Sequence, residues 1–82
     1  LGKWEKLLAR VLSGKSDVNI PFSETRGLLT ALGFGERVKG SHHVFSKEGV
    51  EELINLQPTK GGKCKAYQVK QLRRVLKDNE LC

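Results

Sequence analysis

With 82 residues and a hydrophobic fraction of 38%, the chain has room for one domain and one modest core. No apolar run approaches the roughly 20 residues that span a bilayer, and no basic-apolar-small secretory pattern is present. The net charge of +6 is uneven: Lys60, Lys63, Lys65, Lys70, Arg73, Arg74 and Lys77 form a segment with no acidic residue, while the rest is nearly balanced. A one-sided basic segment is the electrostatic footprint expected for a polyanion partner, although a solvated helix face has the same composition.

Trp4, Leu7, Leu8, Val11 and Leu12 recur at helical spacing and predict an amphipathic helix closed by Gly14, with Trp4 in the core. Lys15 to Ile20 reads as a polar connector. A second helix is expected from Pro21-Phe22-Ser23, with Ser23 as its cap and Glu24 adding favourable charge. It runs through Leu28, Leu29 and Leu32 and stops at Gly33, with Phe34 folded back in a Schellman-type ending. The periodicity then shortens. Val38, then Val44 and Phe45, then Val50 to Leu56 read as three antiparallel strands joined by tight turns. Gly61-Gly62 is expected to loosen the chain before a last helix over about Ala66 to Asn79, whose inward side is Val69, Leu72, Val75 and Leu76.

This order predicts an α+β domain whose sheet is covered by helices on one face and open on the other. Placing Val38 inward turns Arg37 and Lys39 to the open face. Placing Phe45 in the core sends His43 inward with it and leaves His42 outside with Val44 and Ser46.

Cys64 and Cys82 stand alone and far apart, which is not a disulfide framework, so the cytoplasm is the expected compartment. A zinc site from His42, His43 and Cys64 is conceivable, but adjacent histidines on a strand point to opposite sides. The chain opens at Leu1 and contains no Met, as a trimmed or incomplete start would.

No nucleophile elbow, phosphate-binding Gly loop or HExxH motif is present. The remaining chemistry is a histidine pair at the start of a strand, preceded by Arg37 and Lys39. RNA carries its own nucleophile, the 2′-hydroxyl, and needs only a base, cationic donors and an acid. An imidazole with a few Lys or Arg side chains can supply these without metal. By themselves the same residues also suit ordinary surface chemistry. Tyr67 could stack on a base, but packing of the last helix is its expected use.

Three stretches carry a more specific pattern: Leu28-Leu29-x-x-Leu32-Gly33-Phe34, Arg37-Val38-Lys39-Gly40-Ser41-His42-His43-Val44-Phe45, and Ile54-Asn55-Leu56-Gln57-Pro58 with the helix from Tyr67 to Leu76. From about Phe22 onward the chain resembles the HicA family of bacterial and archaeal toxins, which pair with HicB antitoxins. Residues 1–21 then form an N-terminal extension and 22–82 the family core of a single toxin domain. The resemblance implies a double-stranded-RNA-binding-like fold of helix, three strands and helix. It also implies endonucleolytic cleavage of mRNA, neutralised by a HicB-type antitoxin, with no cofactor and no membrane partner. The essential histidine after Gly-Ser maps to His42, with His43 in reserve. Candidate RNA and phosphate contacts are Arg37, Lys39, Ser41, Lys60, Lys63, Lys65 and Lys70. The chain departs from the family where a further histidine commonly follows the proline after the third strand, since Thr59-Lys60 follow Pro58 here. That departure leaves the general acid unassigned. A non-catalytic RNA-binding module of the same fold is the alternative reading. A third is an interaction protein that binds another protein on its open sheet face.

Overall fold

The computed structural model describes residues 2–81. The elements are α1 (Glu5–Ser13), a short 3-10 turn (Asp17–Asn19), α2 (Phe22–Ala31), β1 (Gly35–Lys39), β2 (His42–Lys47), β3 (Val50–Leu56) and α3 (Ala66–Asp78). The strands form one antiparallel sheet in the order β1-β2-β3, so the chain is α+β with the expected arrangement plus the N-terminal helix.

Helix α2 ends as its sequence predicts. The Phe34 amide donates to Leu29 O at 3.0 Å and the Gly33 amide to Thr30 O at 3.0 Å, the paired bonds of a Schellman motif. Its start differs from expectation. Pro21 occupies the cap position and no side chain caps the helix, so Ser23 is an exposed first-turn residue. The Phe22 amide is satisfied instead by Gly62 O at 2.9 Å. The Thr25 hydroxyl turns back on Pro21 O at 2.6 Å, which allows a polar side chain to be fully buried.

Trp4 packs against the edge of the core rather than inside it, and its ring lies against Gly27 of α2. A β-carbon at Gly27 would collide with that ring, so the absent side chain sets how closely the first helix approaches the second.

Gly40 and Ser41 link β1 to β2 as a two-residue turn. Gly40 has φ 61° at the first turn position, where a type II′ hairpin calls for glycine. Register pairs Lys39 with His42, Arg37 with Val44 and Glu36 with Phe45, while Phe45 also pairs with Ile54. Glu36, Val38, His43, Phe45, Ile54 and Leu56 therefore share the helix side, and Arg37, Lys39, His42, Val44 and Ser46 share the open side. Val38 faces the expected way but is 56% exposed, because β1 is an edge strand and the helices do not reach its end.

On the covered side, Val69, Leu72, Val75 and Leu76 of α3 are fully buried together with Phe45, Ile54 and Leu56 and with Leu28 and Leu29. Burial of each such side chain is worth about 1.5 to 3 kcal/mol against full exposure. The polar connector proves more structured than expected: it contains the 3-10 turn and a fully buried Ile20. The Cys64 amide donates to Ile20 O at 2.8 Å, and Pro21 bridges to Lys63. The Gly61-Gly62 segment is likewise pinned and not loose, with bonds Gly62 N to Thr59 O at 3.0 Å and Thr59 N to Lys63 O at 2.8 Å. Cys64 is free and buried, and Cys82 lies outside the described residues.

Candidate functional site

His42 opens β2 on the open face, opposite Lys39, and its side chain is exposed. Among the described residues its ring has one hydrogen-bonding contact. The side-chain amide of Gln57, just past the end of β3, donates to His42 Nε2 at 3.4 Å. Gln57 is itself clamped by the first turn of α3. Its backbone amide donates to Gln68 Oε1 at 2.7 Å, and Gln68 Nε2 donates to Gln57 Oε1 at 3.0 Å. Gln68 is 2% exposed, and its Nε2 also lies 3.4 Å from the Tyr67 hydroxyl. The two glutamines escaped the reading of the sequence. One signal was available, since Gln68 lies four residues before Leu72 and seven before Val75, a polar side chain on the apolar stripe of α3.

His43 faces the helices, and its surroundings are those of a packed residue. Its Nδ1 lies 2.6 Å from Glu36 Oε2, and Arg26 grips the same carboxylate through Nε at 2.7 Å and through its second nitrogen at 2.9 Å. The Phe22 ring meets the imidazole edge-on at 4.8 Å. The Arg26 guanidinium, and after it His43, holds the Glu36 carboxyl below the usual carboxylate range. Cys64 stands apart from both histidines in chemistry: burial pushes its thiol upward, and a contact with the Thr25 side chain offsets part of that rise. Among the described residues, no three His, Cys, Asp or Glu side chains converge into a metal-holding group.

The basic residues divide into two sets. Arg37 and Lys39 line a concavity of about 490 Å³ on the open sheet face, beside Val44, Ser46 and Leu53. Ser41 and Lys60 are exposed in turns, Lys63 and Lys65 are half-buried just before α3, and Lys70 is exposed on the helix. Arg73 and Arg74, by contrast, are held within the fold. Arg73 donates to Val11 O at 3.0 Å and grips Asp17 at 2.9 Å and 3.1 Å, tying α3 to α1 and to the 3-10 turn. Arg74 grips Glu52 of β3. Tyr67 is 64% exposed, which overturns its expected role in packing α3.

Comparison of the chain with protein-family models, curated proteins and solved structures finds no match.

The geometry itself defines a small set of chemical capacities. An exposed imidazole is anchored from one side by a neutral amide, and Lys39 stands beside it in the ladder. The first turn of α3 has no acidic residue, follows Lys63 and Lys65, and presents an exposed aromatic ring. Such groups can accept a proton, hold phosphate oxygens and stack on an unpaired base.

Proposed function

We propose that the protein is an endoribonuclease of the HicA type, which cleaves mRNA with His42 as its base and is neutralised by a HicB-type antitoxin. The observation that carries this reading is the position of His42. It is the residue after Gly40-Ser41, it is exposed on the open face, and its neighbour His43 is occupied with Glu36 and Phe22. In the proposed reaction His42 takes the proton of a ribose 2′-hydroxyl as that oxygen attacks the adjacent phosphorus. The bond from phosphorus to the 5′-oxygen breaks, leaving a cyclic phosphate on one fragment and a 5′-hydroxyl on the other. The leaving oxygen takes a proton from water or from a lysine of the Lys60 to Lys65 turn. Lys63 and Lys65, Lys39 and Arg37 are suited to neutralise phosphate charge, and Tyr67 to stack on a base. The basic start of α3 also suits a non-catalytic RNA binder.

One experiment separates these readings. His42→Ala is expected to abolish RNA cleavage and growth arrest with an unchanged circular dichroism spectrum. Wild-type cleavage should persist in EDTA and fail on a substrate with 2′-hydrogen at the cut site, since the nucleophile is the RNA's own hydroxyl. Undiminished toxicity of His42→Ala removes His42 from the reaction, and RNA binding without any cleavage by the wild type identifies a binder.

A further inference from the structure

The amide chain behind His42 has one self-consistent orientation, and that orientation turns a donor toward the ring. The Gln57 backbone N–H can only donate, so the Gln68 atom 2.7 Å away must be its oxygen. The Gln68 nitrogen is then the atom facing Gln57, and it must find an oxygen there, at 3.0 Å. Its second N–H has the Tyr67 hydroxyl oxygen at 3.4 Å, which leaves the buried amide fully paired. With the Gln57 oxygen committed to Gln68, the group that Gln57 turns toward His42 is its NH₂. An NH₂ group has no lone pair to offer, so the facing ring nitrogen must accept. Reversing either amide would set donor against donor or oxygen against oxygen at Gln68, which is buried.

We propose that Gln57 and Gln68 are positioning residues that hold the His42 ring with its proton on Nδ1, leaving Nε2 as the atom that receives the substrate proton. The proposal rests on the His42 reading above and adds a direction to it. A substrate hydroxyl reaches Nε2 from the side of Gln57 and the first turn of α3, where Tyr67 and the lysines before the helix stand. The substrate hydroxyl takes the position of the amide at Nε2, so one bond from a donor is exchanged for another. The displaced NH₂ remains beside it as a donor to the same oxygen or to the phosphate.

Nitrogen-15 spectra of the His42 ring, recorded with the full chain about two units above the usual imidazole pKa of about 6.5, read the tautomer directly. The wild type is expected to show a bare Nε2 and a protonated Nδ1. In Gln57→Glu, one carboxylate oxygen keeps the Gln68 bond and the other faces His42, so the proton should move to Nε2. Gln68→Glu reaches the same end by another route, because its second oxygen forces the Gln57 amide to turn over. If the buried Gln68→Glu variant fails to fold, Gln57→Glu still decides the matter. Protonated Nε2 in the wild type, or an unmoved proton in folded Gln57→Glu, overturns the proposal. Cleavage is scored separately on the same samples, and a drop of at least tenfold in Gln57→Glu is expected where the ring has inverted. Full cleavage by an inverted ring overturns the positioning role. If His42→Ala also cleaves fully, the failure lies with His42 as the base and not with the amide chain.

Discussion

The two adjacent histidines show how a single step along a strand separates exposed chemistry from structural chemistry. His42 is turned outward with its ring beside the Gln57 amide, whereas His43 is turned inward onto an ionised carboxylate and an aromatic edge. The inward group has its own consequence for stability. Glu36 is charged in the fold at a pH where an ordinary carboxyl would begin to protonate, because Arg26 and His43 both favour its anion. Its contribution is therefore complete above the ordinary carboxylate range, and it is lost as the pH falls from that range through the lower value of Glu36. We expect Glu36→Gln to cost about 1 to 2 kcal/mol at neutral pH, a figure kept small because Arg26 is partly solvated. The gap between wild type and variant should close as the pH drops. Urea denaturation at a series of pH values measures this, and a gap independent of pH would remove the ionised cluster as its source.

At the scale of elements, helix packing depends on side chains that are absent as well as present. Gly27 in mid-helix is a cost to α2 by intrinsic propensity, and the Trp4 ring lying against it supplies the reason. Gly27→Ala gains helix propensity but must push the ring aside. Overpacking of this kind is destabilising by about 1 to 3 kcal/mol, which at least matches the propensity gain of roughly 1 kcal/mol and over most of the range exceeds it. A net loss of stability is expected. Because Trp4 is the sole tryptophan of the chain, its displacement should also shift the intrinsic fluorescence toward that of a more solvated indole. An unshifted spectrum with raised stability would show that the ring does not need the gap.

Across the whole molecule, the basic residues that look alike in sequence have different surroundings. Lys63, Lys65 and Lys70 carry no ion pair among the described residues, while Arg73 and Arg74 are gripped by Asp17 and Glu52. Replacing the three lysines by alanine should weaken RNA binding. The slope of log affinity against log salt should fall by ~0.7 to 0.9 for each phosphate contact removed. Arg73→Ala is expected to act on stability instead, since it releases α1 and the 3-10 turn from α3 and leaves the Asp17 carboxylate without its partner. Filter binding over a salt series, set beside thermal unfolding, distinguishes the two. An unchanged salt slope in the triple variant reduces the lysine segment to a solvated face.

The helices, strands and their order were legible from local pattern, because apolar period and turn chemistry act over a few residues. Leu7, Val11, Leu28 and Val69 to Leu76 announce their faces by spacing alone, and Gly33-Phe34 announces its helix end. The outward placing of His42 was legible for the same reason, since the period of two on a strand sets which side it faces. Partnership across the fold was not legible. Ser23 looks like a cap, yet the backbone of Gly62 arrives first; Gly61-Gly62 looks loose, yet the neighbouring turns pin it. Tyr67 has the composition of a packing residue, but its angle on α3 turns it to solvent, and Arg73 has the composition of a nucleic-acid contact, but a distant acid claims it. The Gln57 and Gln68 pair belongs to the same class. Its bonds join the end of a strand to the start of a helix, and that proximity comes from closing the sheet beneath α3, a long-range event that no local period encodes.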